Sequence, residues 1–135
     1  MVYLEWNDNL LIGIKELDGH HRHLVDLLNR TYTICMSYTT PEDLIRIVDE
    51  LIDYVNYHFA AEERIMDQHD YPGLLQQKQE HEVFKLQLDD LKTKISGTVS
   101  FSIMEAVELT ELLGDWVKNH IMDVDNKFGG YMNKV

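Results

Sequence analysis

The stretch LIRIVDELIDYVNYHFAAEERI, residues 44–65, decides the fold. Leu44, Val48, Leu51, Val55, His58, Glu62 and Ile65 follow one another at steps of four and three, which puts them on one face of an α-helix. That face is apolar until His58 and Glu62 interrupt it one turn apart. A polar pair on a stripe that should face a core is more informative than the apolar residues around it. The signals on either side bound the helix. Upstream, Thr40 is a good N-cap, Pro41 fits the first helical position, and Asp43 sits where a capping box needs an acceptor. Downstream, Asp70-Tyr71-Pro72-Gly73 is a turn signal.

Three more stripes of the same period lie outward from this one. Leu17, His21, Leu24, Leu28, Thr31 and Cys35 form the first. Leu74, Gln77, His81, Phe84, Leu88, Leu91 and Ile95 form the third, which Ser96-Gly97-Thr98 stops. Ala106, Leu109, Leu113, Trp116, His120 and Val124 form the fourth, with Phe128 beyond and Gly129-Gly130 near its end. Ser102 with Glu105 reads as a second capping box. Residues 1–16 show no period and read as an irregular arm. The expected fold is therefore all-α: an up-down-up-down antiparallel four-helix bundle forming a single domain over 1–135, with helices near 17–38, 41–68, 72–95 and 102–131.

Composition narrows the function. The chain has 135 residues, and 12 Lys+Arg against 24 Asp+Glu give a formal charge of −12. So negative a chain is a poor partner for nucleic acid or for an anionic membrane surface. The N-terminus has no basic or apolar leader, and no apolar run reaches the length of a membrane span. Cys35 is the only cysteine, which excludes an internal disulfide and any multi-cysteine metal site. The expectation is a cytoplasmic protein.

Each stripe carries one histidine: His21, His58, His81 and His120. A single histidine on such a face is ordinarily a hydrogen-bonded core residue. Four of them, one per helix, with Glu62 beside His58, point to a metal, because burying each group without a partner costs about 1–3 kcal/mol. Imidazole and carboxylate without thiolate suit iron, zinc, copper or manganese. The set is too large for one tetrahedral ion, and two metals bridged by carboxylates fit it better. A metal-free structural bundle is the competing possibility.

These residues resemble the hemerythrin family, in particular the bacteriohemerythrins, from Trp6 to about Tyr131. The family pattern is a His on the first helix, HxxxE on the second, HxxxH on the third and HxxxxD on the fourth. It is matched here by His21 in LDGHHRHL, by His58 and Glu62 in HFAAE, and by His120 and Asp125 in HIMDVD. Where the family usually has Gln before the first ligand, this chain has His20. The resemblance implies two non-heme iron ions joined by an oxo or hydroxo bridge. By carry-over, His21 and His58 bind one iron, His81 and His120 bind the other, and Glu62 and Asp125 bridge both. The third motif departs from the family: the chain reads QKQEH, so Gln77 stands where a second His belongs. Either its amide oxygen is a weak ligand or, preferably, water or a small anion takes the place. His20, His23 and His69 read as surface or supporting residues.

Asp125 conflicts with regular geometry. Five residues turn a regular α-helix by about 140°, so His120 and Asp125 would not share a face. Asp123 fits a regular helix better, whereas a π-bulge would bring Asp125 onto the face. Leu24, Phe59, Trp116, Val117 and Ile121 flank the ligand positions and read as an apolar pocket. The resemblance implies binding of, or reaction with, O2 or another small ligand such as NO or an anion. The lost His ligand favours a redox or oxygen sensor, and the resemblance offers an N-terminal input module fused or docked to an output domain such as a diguanylate cyclase or chemotaxis receptor as one setting for it. A reversible O2 carrier or store is the alternative, and a weak diiron oxidase the second. The domain itself is expected not to be an enzyme.

Overall fold

The computed structural model describes residues 4–37, 40–97 and 103–133. Helices α1 (Lys15–Cys35), α2 (Pro41–Gln68), α3 (Leu74–Gly97) and α4 (Ile103–Asn119) form an antiparallel four-helix bundle. The fourth rod does not end at Asn119. It passes through a π-helical segment, His120–Asp125, into a short α5, Asn126–Met132. In the bundle α1 packs against α2 and α4, and α3 packs against α2 and α4. None of the described helices is long and apolar enough to cross a membrane.

The helix boundaries follow local chemistry. The Thr40 side chain accepts from the Asp43 amide at 3.3 Å, and Pro41 opens the helix, as expected of an N-cap. At the other end of α2, the Tyr71 amide reaches back to the Met66 carbonyl and the Asp70 amide to the Asp67 carbonyl. This is a Schellman closure with Asp70 in the left-handed region at φ 52°. The turn delays α3 to Leu74, two residues later than its sequence signal. The expected capping box at Ser102 lies outside the described residues.

The stripes read from the sequence form the core. Those of α1 and α2 are buried throughout, from Leu17 to Cys35 and from Leu44 to Ile65. On α3, Leu74 is half-buried and the rest of the stripe is buried. The side chains of Ala106 and Leu109 lie outside the described residues. Val124 departs from its reading and is half-buried, because the π-helical segment hands its place to Asp125.

The arm runs along α1, and Asp8–Leu10 forms a 3-10 turn within it. Asp18 accepts from the Ile12 amide at 2.8 Å and from the Gly13 amide at 3.2 Å. Asn29 exchanges two bonds with the backbone of Leu4, at 2.7 and 2.8 Å. Leu10 and Ile12 are buried, which contributes about 1.5–3 kcal/mol for each side chain. The arm packs so closely on α5 that a Cβ on Gly129 would lie 2.1 Å from the Ile12 carbonyl oxygen. Gly130, beside it, meets nothing within 4 Å. The helix runs through both glycines, so neither terminates it, and only Gly129 serves close approach.

Candidate metal centre

Each rod of the bundle delivers its polar residues to one level of the interior. His21 comes from α1, His58 and Glu62 from α2, Gln77 and His81 from α3, and His120 and Asp125 from the π-helical segment. All seven side chains are buried, and His120, at 4% exposure, is the most accessible. Among the described residues, two groups bring ligand-type atoms within 4.8 Å of one another: His21, His58, Glu62 and Asp125, and Glu62, His81 and His120. Glu62 belongs to both.

The two carboxylates stitch the groups together. Glu62 Oε1 lies 2.7 Å from His58 Nε2 and 3.7 Å from His81 Nε2. Asp125 Oδ2 lies 3.1 Å from His21 Nε2, and its Oδ1 lies 3.2 Å from His120 Nε2. His81 and His120 face each other through their Nε2 atoms at 3.2 Å. The Gln77 Nε2 donates to Asp125 Oδ1 at 3.1 Å, so the amide that replaces the motif histidine enters the cluster through its nitrogen.

The π-helical segment resolves the choice between Asp123 and Asp125. One extra residue per turn carries the chain from His120 to Asp125 with both side chains on the inner face. Asp123 turns outward, 70% exposed, and pairs with Lys127 at 3.5 Å.

Burial sets the charge state of the cluster. It raises Glu62 well above the usual carboxylate range, and the neighbouring Asp125 adds to the shift. Burial opposes ionisation of Asp125 too, but His120, His21 and Glu62 outweigh it and hold that group well below its ordinary value. Of the two carboxyls, Glu62 is the one pushed toward its neutral form and Asp125 the one whose charge its neighbours favour. Burial also lowers His58 well below its ordinary value, and it lowers His81 to about 4 against the opposing pull of Glu63. Both rings are neutral near pH 7, which is the form that ligates metals.

Several buried atoms lack a hydrogen bond, although ligand-type groups surround them. They include both ring nitrogens of His21, both oxygens of Glu62, the Gln77 Oε1, the His120 Nδ1 and the Asp125 Oδ2. The His21–Asp125 and His58–Glu62 contacts are close, yet they leave His21 Nε2, Glu62 Oε1 and Asp125 Oδ2 without bonding geometry. Orphaned polar atoms at this density are costly, and a cation among them removes the cost. The donor set fits a pair of borderline metals. No thiolate is at hand, since Cys35 is buried elsewhere beside Thr110.

Aromatic rings brace the imidazoles. Phe59 stacks on His81 at 3.8 Å and 4°, and Trp116 stacks on His120 at 4.5 Å and 13°. Leu24, Phe59, Val117 and Ile121 are buried, and Trp116 is half-buried. A set of outer contacts escaped the sequence reading. Glu63 Oε2 meets His81 Nδ1 at 2.8 Å, Glu80 Oε1 approaches His120 Nδ1 at 3.7 Å, and His20 Nδ1 meets His58 Nδ1 at 3.1 Å. Glu63 follows Glu62 in the sequence, but its reach to His81 crosses from α2 to α3. Glu80 reaches its partner across two helices, and no sequence spacing reports that. His69 and His23 are exposed, and neither belongs to the two ligand-type groups.

A helical bundle with two overlapping imidazole–carboxylate groups in its interior is a metal-binding four-helix bundle. The family model described as "Hemerythrin HHE cation binding domain" matches residues 12–131, and the chain belongs to the hemerythrin family. It is 30% identical to a bacteriohemerythrin of Stenotrophomonas maltophilia over 128 residues, covering 95% of this chain and 80% of that one. It is 31% identical to a bacteriohemerythrin of Pseudomonas aeruginosa over 137 residues, covering 100% and 83%. Among solved structures, a wild-type hemerythrin superposes with a TM-score of 0.84 at 25% identity, covering 95% of this chain and 96% of that one. A hemerythrin with one leucine replaced by alanine gives 0.86 at 26% identity, covering 96% and 97%.

Proposed function

We propose that this chain is a non-heme diiron protein that binds or reacts with O2 and serves as a redox or oxygen sensor. His21 and His58 would hold one iron, His81 and His120 the other, and Glu62 and Asp125 both. A pair of ferrous ions, when bound, supplies the electrons for binding and reducing O2. The chain's own residues do the rest. Phe59, Val117 and Ile121, each 1% exposed, keep bulk water away. Phe59 and Trp116 fix the ring planes of His81 and His120.

The observation that carries the sensor reading is Gln77. Its amide nitrogen is committed to Asp125, and its oxygen has no partner. The His81–His120 side therefore has two imidazoles, and the amide supports a water or small anion beside them. An exchangeable position there favours one-way oxidation over reversible binding. In this reading the domain is not an enzyme. The output route is the fourth rod, because its π-helical segment ties the cluster to α5 and through Gly129 to the arm. The buried pocket of Leu24, Phe59, Val117 and Ile121 favours a second reading, a reversible O2 carrier or store.

Anaerobic reduction of iron-quantified protein, followed by rapid mixing with O2, separates the two. Direct conversion to an oxidised spectrum that only reductant reverses is expected. An oxygenated spectrum that persists and reverses under argon would refute the sensor and support the carrier. Gln77→His should slow oxidation and favour the reversible form. An unchanged oxidation rate would remove Gln77 from the mechanism.

A further inference from the structure

His58 and His20 meet through their Nδ1 atoms at 3.1 Å. Two imidazole nitrogens at that distance share one proton, so one ring donates and the other accepts. The opposite edge of His58 settles which. Its Nε2 points into the cluster, 2.7 Å from Glu62 Oε1, where a ligating nitrogen must keep its lone pair. The proton of a neutral His58 then sits on Nδ1, and His20 accepts it.

We infer that His20 is a positioning residue for His58: its Nδ1 accepts the His58 Nδ1–H and so fixes the tautomer and ring plane that present Nε2 to the metal. The inference rests on reading the cluster as a metal centre. His20 is itself held in place. Its ring lies edge-on to His58 at 5.2 Å and 75°, with Tyr57 at 5.1 Å and Tyr54 at 6.1 Å on its other sides. The acceptors also differ from one another. His81 has a carboxylate at Nδ1, from Glu63, and His120 has Glu80 near its own, whereas His58 has a neutral ring. A carboxylate raises the donor strength of the ring it holds more than a neutral acceptor does. His58 is therefore the more weakly donating ligand of the pair His58 and His81, and its geometry depends on His20.

The test compares Leu and Gln at position 20. Gln carries an amide oxygen that can accept the His58 proton, whereas Leu fills space without accepting. On iron-loaded protein challenged with a chelator, His20→Leu should release one of the two irons about 10–100-fold faster, and His20→Gln should stay within about threefold of wild type. Equal release from wild type and His20→Leu would overturn the inference, as would a His20→Gln protein that fails as badly as His20→Leu. A second readout is independent of release. Histidine 15N spectra of the zinc-loaded wild type should show His58 protonated at Nδ1 and His20 at Nε2, and a His20 protonated at Nδ1 would overturn the assignment. Wild-type protein that takes up no metal would overturn both this inference and the diiron reading. Wild-type protein that holds two irons, with His20→Leu unchanged, would remove His20 alone.

Discussion

Glu62→Gln should move the metal-free and the iron-loaded protein in opposite directions. Glu62 is fully buried and neither of its oxygens has a hydrogen bond. Burial and Asp125 raise its pKa well above the ordinary value. For a carboxyl shifted upward on folding, the stabilising contribution is fully present below the unfolded pKa and is lost as pH rises through the folded one. Near pH 7 the metal-free wild type therefore carries the cost of either a buried charge or a proton taken up to avoid it. Gln has the shape of the protonated acid, never ionises, and can donate to Asp125. An unsatisfied buried polar group costs about 1–3 kcal/mol, so the metal-free variant should gain up to that amount at pH 7. That corresponds to a rise in Tm of about 3–12 °C for a domain between the small and mid-size classes. The gain should shrink as pH falls toward the ordinary carboxylate range. Iron reverses the order. Ligand present at a thousandfold excess over Kd adds about 4 kcal/mol to the protein that binds it. Glu62 belongs to both groups of ligand-type atoms, so the variant should lose most of this increment. Differential scanning calorimetry with and without ferrous iron, between pH 5 and 8, reads both effects. A metal-free Glu62→Gln protein less stable than wild type at pH 7, or one that gains as much from iron as wild type does, would refute the reasoning.

Other substitutions probe the support of the site. Gly129→Ala puts a methyl against the Ile12 carbonyl, so it should displace the arm and destabilise the fold by about 1–3 kcal/mol in denaturant titration, with the increment lost in a variant that lacks the arm. Asp123→Asn should leave iron content unchanged, because Asp123 is exposed and pairs with Lys127, whereas Asp125→Asn should lower it; elemental analysis after anaerobic loading distinguishes them. Phe59→Leu removes the ring stacked on His81 and should both destabilise the core by about 1–2 kcal/mol and speed oxidation after mixing with O2, since water gains access.

The bundle was legible because its core obeys one rule. Apolar residues recur at the helical period on four segments, and each helix has a turn or cap signal close by. The cluster was legible for the complementary reason, since His21, His58, Glu62, Gln77 and His81 break that apolar pattern at positions the same period places inside. The rule failed where the helix changed pitch. A regular α-helix puts Val124 on the inner face, and only the π-helical segment explains why Val124 is half-buried and Asp125 fully buried. Contacts between helices were not legible at all. The distance from Glu80 to His120 and the meeting of His20 with His58 depend on rotation and height of one helix against another, which stripe patterns fix only to within a residue or so. The direction of the Gln77 amide was equally hidden, because Asp125 decides it from another helix.

In the proposed function, two irons share Glu62 and Asp125. Anomalous diffraction at the iron edge, from crystals of anaerobically loaded protein, tests it directly. Two peaks on the order of 3.5–4 Å apart, flanked by His21 and His58 on one side and by His81 and His120 on the other, are predicted. A single peak, or peaks away from the two carboxylates, would contradict it.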